Sequence, residues 1–100
     1  MNKKYNRRKL KEKDLRLYGI DREEVFKQQK GKCLICDVHL VEPYTRYTHA
    51  DHNHVTGKFR GLLCGTCNTG LGKFKDSIYL LEKAVEYLKK GEQSNEFIKE

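Results

Sequence analysis

Two Cys-x-x-Cys pairs, Cys33-Leu34-Ile35-Cys36 and Cys64-Gly65-Thr66-Cys67, lie 27 residues apart. An x2 spacing lets one tight turn present two sulfurs to one ion. Two such turns complete a tetrahedral thiolate set suited to Zn2+, with Zn–S near ~2.3 Å. Four thiolates leave no open position for a substrate, so this zinc is structural. It contributes on the order of 10 kcal/mol of apparent binding energy to folding. A thioredoxin-like redox role lacks its βαβ context, and iron–sulfur ligation is the weaker alternative.

Between the pairs runs Thr48-His49-Ala50-Asp51-His52-Asn53-His54, and Asn68 follows Cys67 directly. The thiolate site needs none of these residues, so they call for chemistry of their own. Asp51 offers a hard oxygen ligand for an ion such as Mg2+. His52 offers a neutral imidazole that can take a proton from water near pH 7. Asn68 can turn a carbonyl oxygen to the same ion. A lone Asp-His pair at a strand end is most often a polar turn; the full set with His54, bracketed by cysteine pairs, is far more specific. His49 and His54 lack the spacing of a paired-histidine finger, and His39 is assigned no role.

The elements that must position these groups can be read from periodicity and caps. The pattern predicts a helix from about Arg8 that stops before Gly19. A second helix runs from Arg22 to Lys30, with Asp21 as its cap, Glu24 as an acidic capping-box partner, and Ile20 and Val25 as a hydrophobic staple. Val25, Phe26 and Gln29 are placed to face the first cysteine turn. Tyr44 to His52 reads as a strand, Asn53–Lys58 as a turn around Thr56-Gly57, and Phe59 to Leu63 as its partner strand. In such a strand His49 and Asp51 face one way, and Ala50 and His52 the other. One site can still use Asp51 and His52 if the strand ends there and a helix lies across it. Cys67 and Asn68 begin a helical turn punctuated by Gly70 and Gly72. The last helix is capped by Asp76 or Ser77, carries a core stripe of Ile78, Leu81, Ala84, Val85 and Leu88, and ends at Gly91. The fold class is α+β, a small zinc-stapled core flanked by N-terminal helices and a C-terminal helix. Its boundaries are a basic arm over 1–18, the zinc domain over 19–91 and a flexible tail over 92–100.

Composition limits what this chain can be. One hundred residues, 37% hydrophobic and 35% charged, form a single domain whose small core calls for a staple. No apolar run approaches a membrane span, and residues 1–18 lack the apolar stretch of a secretory signal. The expectation is therefore a cytoplasmic protein with reduced, metal-bound cysteines. The net charge of +7 is unevenly spread: residues 1–13 carry +6 and residues 51–75 carry +3, against −2 over 76–100. Such a distribution fits a polyanion partner, bound with release of counterions. Lys3, Lys4, Arg7 and Arg8 in the arm, and Lys58 and Arg60 beside the histidines, are the candidate polyanion contacts. The bland alternative is a solvated, solubilising tail.

These motifs together resemble the phage recombination endonuclease VII family, of the HNH or His-Me finger nucleases. The resemblance rests on Cys33 to Cys36, on His49-Ala-Asp51-His52-Asn53-His54, on Gly57-Lys-Phe-Arg60-Gly-Leu-Leu-Cys64-Gly-Thr-Cys67-Asn68, and on Leu71-Gly72-Lys73-Phe74-Lys75-Asp76. It covers roughly Gly19 to Leu88. It implies a ββα-metal core that hydrolyses DNA phosphodiesters to 5′-phosphate and 3′-hydroxyl ends. Asp51 and Asn68 would hold Mg2+ or Mn2+, His52 would activate water, His54 would support the site, and Arg60 would meet the phosphate. The family's junction-resolving member is longer, with an extension used for dimerisation and junction binding. A homodimer and action on Holliday junctions are accordingly open expectations. The rivals are a site-specific or nicking HNH endonuclease on ordinary duplex, and a non-catalytic zinc module that binds DNA.

Overall fold

Helix α1 (Arg7–Tyr18) starts where the Asn6 side chain accepts a hydrogen bond from Lys9 N at 3.0 Å. It stops at Gly19, whose φ of 66° is the left-handed conformation a helix end requires and whose N–H closes onto Leu15 O. These elements belong to a computed structural model that describes residues 6–93. Helix α2 (Arg22–Gln28), strands β1 (Thr48–His52) and β2 (Phe59–Cys64), helix α3 (Gly65–Lys73) and helix α4 (Ile78–Gln93) follow. Four helices and a two-stranded sheet make the α+β class expected. The described residues divide into two compact units between Thr69 and Gly70, within α3. None of the described helices is long and apolar enough to cross a membrane.

Several boundaries differ from expectation. Asp21 caps α2, but it receives Glu23 N at 3.0 Å, and Glu24 turns instead towards Lys27 at 4.0 Å. The helix stops at Gln28 because Lys30 and Gly31 take left-handed φ values of 57° and 68°, which turn the chain into the first cysteine loop. Strand β1 begins only at Thr48. Residues 44–47 form a turn instead, in which Tyr47 N meets Thr45 Oγ1 and Thr48 N meets Thr45 O. The reason is the partner: Thr48 pairs with Cys64, and beyond Cys64 the chain becomes helix and offers no ladder. Helix α3 begins at Gly65 and passes through Gly70 and Gly72, and α4 passes through Gly91 to Gln93. A helical glycine costs about 1 kcal/mol relative to alanine, which weakens a helix without ending it. Ser77 is the α4 cap, accepting from Leu80 N at 3.0 Å. The expected tail begins inside α4, and residues 94–100 lie outside the described residues.

In the first unit the buried apolar side chains are Cys33, Leu40, Tyr44, Leu62 and Leu63. So small a core is supplemented by polar fastening. Gln29 reaches β2, donating to Leu62 O at 3.0 Å and accepting from Leu62 N at 3.0 Å, and it also donates to Lys32 O at 2.8 Å. That amide satisfies the sheet edge and the loop after α2 together. Asp14 on α1 and Arg22 on α2 form a buried bidentate pair, with Nε–Oδ2 at 2.8 Å and Nη2–Oδ1 at 3.1 Å. Arg22 also donates to Pro43 O and lies 5.4 Å over the Tyr44 ring, so one guanidinium ties α1, α2 and the 43–44 segment.

The second unit differs from expectation in its packing. The stripe read as core is open: Ile78 is 73% and Leu88 62% exposed, with Val85 about half exposed and Leu81 and Ala84 half-buried. Among the described residues of this unit, one long helix preceded by a tight turn has no second layer to close over its apolar face.

The Asp14–Arg22 pair gives the first prediction. Arg22→Ala leaves Asp14 charged and buried, and should cost about 3–5 kcal/mol. Removing both charges, as Asp14→Leu with Arg22→Met, should cost much less. Urea unfolding checks this; an unchanged midpoint for Arg22→Ala would contradict it.

Candidate functional site

The Cys33 turn is closed by Cys33 N donating to Val38 O at 2.9 Å and Asp37 N to Cys33 O at 3.0 Å. Asp37 takes the left-handed φ of 66° that such a turn needs. The second turn is the start of α3, where Cys67 N donates to the Cys64 sulfur at 3.4 Å. The loops meet because Leu34 N donates to Leu62 O at 3.3 Å. Gly61 makes room for that approach: a Cβ there would stand 2.7 Å from Leu34 Cδ2. As a result the ligand atoms of Cys33, Cys36, Cys64 and Cys67 all lie within 4.8 Å of one another.

This arrangement fits one tetrahedral ion. With Zn–S near ~2.3 Å the edge of the tetrahedron is roughly 3.8 Å, and Cys36 and Cys64 sulfurs stand 3.7 Å apart. The electrostatics agree. Burial raises the Cys33 thiol, but N–H groups of Cys36, Cys64 and Ile35 outweigh it and lower its pKa to about 6. Cys67 is pushed up to about 12 by burial and by sulfur contacts with Cys36, Cys64 and Cys33. The thiols are thus pushed in opposite directions, and ion binding must displace the protons that remain.

The second constellation gathers at the other end of the hairpin. Strands β1 and β2 pair antiparallel, with Thr48 opposite Cys64, Asp51 opposite Gly61 and His52 opposite Phe59. Arg60 is therefore the extra residue of a bulge between Asp51 and His52. A regular ladder would set Arg60 opposite His52, on the face away from Asp51. The bulge turns it back, and bulges re-aim side chains in this way. Arg60 holds the buried Asp51 carboxylate through Nε–Oδ2 at 2.6 Å and Nη2–Oδ1 at 3.1 Å. His52 is half-buried, 4.8 Å between ring centroids from His54. Asn53 shapes the turn by accepting from Val55 N and Thr56 N. Asn68 lies in the first turn of α3, next to Cys67, and is half-buried. Its side chain makes no hydrogen bond to Asp51 or His52. His49 Nε2 lies 3.6 Å from where a Cβ on Gly65 would be, so β1 and the start of α3 are close neighbours.

The structure adds residues that periodicity did not reveal. Tyr18, the last residue of α1, puts its hydroxyl 3.2 Å from His52 Nδ1 and its ring 5.8 Å from Phe59. A cleft of about 230 Å3 between α1 and β1 is lined in part by Lys13, Tyr18, Arg46, His49 and Ala50. Lys13 and Arg46 were hidden among many exposed cations in the sequence. Of the residues expected to contact DNA, Arg8 and Lys58 are exposed, Lys58 near the hairpin turn. Arg7 is paired with Glu23 and lies 5.7 Å over the Tyr44 ring. Lys3 and Lys4 lie outside the described residues.

Comparison with known proteins places this geometry in a family. A family model for recombination endonuclease VII matches residues 9–90. The "Gene 59 protein" of Mycobacterium phage D29 is 40% identical over 80 residues, covering 76% of this chain and 47% of that protein. Its namesake in Mycobacterium phage L5 is 38% identical over 78 residues, covering 74% and 46%. Among solved structures, the beta-beta-alpha-Me type II restriction endonuclease Hpy99I is similar at a TM-score of 0.53 and 37% identity, over 79% of this chain and 47% of that one. The chain spans about half the length of the curated relatives it matches.

For the sulfur cluster the expected outcome is one tightly bound zinc per chain in protein purified without chelator, measured by elemental analysis. Zinc affinity should fall as pH falls, because the proton held by Cys67 competes with the ion. Cys64→Ser should lose the cooperative unfolding transition. A metal-free preparation with a normal thermal midpoint would contradict the assignment.

Proposed function

The chain belongs to the recombination endonuclease VII family, and from that premise we propose that it is a Mg2+-dependent DNA endonuclease with a structural zinc. The observation that carries the reading is the hairpin end itself. The buried Asp51 carboxylate, held by the Arg60 guanidinium, and His52 next to it in sequence flank one bulge of a hairpin whose other end carries the sulfur cluster.

In this reading Asp51 and Asn68 would hold the divalent ion, Mg2+ or Mn2+, as oxygen donors. Their chemistry suits a hard cation. When bound, the ion supplies electrostatic stabilisation of charge developing on the phosphate and the leaving oxygen. His52 removes a proton from the attacking water. The water oxygen joins phosphorus as the bond to the 3′ oxygen breaks, leaving a 5′-phosphate and, after that oxygen takes a proton from solvent, a 3′-hydroxyl. His54, its ring tilted against that of His52, limits the ring's freedom. Arg60 and Lys58 meet the DNA backbone, with Arg7 and Arg8, and with Lys3 and Lys4 in the preceding segment. Such cations set affinity and not sequence choice.

Two substrate classes are proposed. The family match favours branched DNA, whose resolution takes two coordinated cuts and hence a dimer. The likeness to a type II restriction endonuclease favours ordinary duplex. Cleavage of a four-way junction against linear duplex of the same sequence separates them, with sedimentation reporting the oligomeric state.

The chemical reading is tested by plasmid nicking over a range of Mg2+ concentrations. His52→Ala should slow cleavage by about 10²–10⁴, the usual worth of a general base, while leaving folding and zinc content intact. Asp51→Ala should fail through lost metal, with partial rescue at high Mg2+. Asn68→Asp should keep an oxygen ligand and shift metal preference. Normal cleavage by His52→Ala would overturn the assignment. Tyr18→Phe keeps the ring against Phe59 and removes only the contact to Nδ1. It should lower kcat several-fold, about the worth of one hydrogen bond, with KM and thermal midpoint unchanged.

A further inference from the structure

Asp14–Arg22 and Asp51–Arg60, each a pair on a buried aspartate, differ in one respect. In the first, Asp14 and Arg22 side chains are 2% and 7% exposed, so both partners are sealed in. In the second, the Asp51 side chain is 8% exposed but the Arg60 side chain is 36% exposed. Asp51 is fixed in a strand. Arg60 is mounted on the bulge and borders solvent. Both Asp51 oxygens are taken by the guanidinium, at 2.6 and 3.1 Å.

A carboxylate this deeply buried needs a positive partner whatever else the protein binds. A divalent ion on Asp51 needs one of the same two oxygens, and it brings a second cation beside the guanidinium. The two compete for one ligand and repel each other.

We propose that Arg60 is the resident counter-ion of the metal site: it neutralises Asp51 in the metal-free protein, is displaced from at least one carboxylate oxygen when a divalent cation binds, and then presents its guanidinium to a phosphodiester of the DNA. This rests on the reading of Asp51 as a metal ligand. Two consequences follow. Arg60 holds down the metal affinity of the DNA-free protein, because every ion that binds must break the bidentate pair. Metal and DNA bind cooperatively, because a phosphate gives the displaced guanidinium a new partner, and this coupling is reciprocal.

The test uses the zinc-loaded full chain with Mn2+ as probe, titrated calorimetrically in the presence and absence of a duplex. The His52→Ala background keeps the DNA uncut. Without DNA, Arg60→Gln should bind Mn2+ roughly tenfold or more tightly than the Arg60 protein, since both competition and repulsion are gone. Duplex should tighten Mn2+ binding when Arg60 is present and have little such effect in Arg60→Gln. Equal or weaker Mn2+ binding by Arg60→Gln overturns the proposal. If the variant is unstable without metal, the readout is the thermal midpoint: Mn2+ should raise it more in Arg60→Gln than in the Arg60 protein. An equal or smaller rise overturns the proposal. Asp51→Asn separates the two claims. Undiminished Mn2+ binding there overturns the ligand reading itself. Lost binding, with Arg60→Gln unchanged, overturns only the exchange.

Discussion

Four sulfurs drawn within 4.8 Å of one another are the constraint from which the rest of the first unit follows. They join two turns that are 27 residues apart in sequence, and what lies between is the hairpin that carries Asp51 and His52. Five buried apolar side chains among the described residues are a thin core for a chain of this charge. One of them is Cys33, so the sulfur cluster and the core are partly the same object. Since Cys64 both ends β2 and precedes the first residue of α3, fixing its sulfur fixes the angle between strand and helix. That angle sets where Asn68 stands relative to the end of β1.

Charge is used twice inside this small unit, for different ends. Asp14 and Arg22 lock α1 to α2, and the Arg22 guanidinium also fastens the segment at Pro43 and Tyr44. The basic N-terminal stretch is therefore part of the folded unit from Arg7 onward, and Tyr18 carries it up to His52. Asp51 and Arg60 repeat the same bidentate geometry at the border of solvent, with the Arg60 side chain partly exposed. The two pairs differ in how far the guanidinium is buried.

Much of this was legible in the residues. The cysteine spacing announced the cluster, Asp21 and Gly19 announced helix ends, and Thr56-Gly57 announced the hairpin turn. What stayed hidden depended on tertiary partners. The alternating residues from Tyr44 to Tyr47 look like strand, yet β2 has no residue left to pair with them. The bulge at Asp51 and His52 carries no mark in local sequence, so the Asp51–Arg60 contact could not be foreseen from alternation. Tyr18 looked like one more weak apolar position on α1. The α4 stripe has the periodicity of a core helix, but periodicity states only that a face is apolar and not that anything covers it.

The central claim is that the sulfur cluster organises the hairpin end and the start of α3 as one unit. Amide hydrogen exchange on zinc-loaded and zinc-stripped protein tests it most directly. The account predicts that amides of Thr48–His52, Phe59–Cys64 and the first turn of α3 lose protection together when the ion is removed. Retained protection in the two strands without the ion would contradict it, because the hairpin would then stand without its clip.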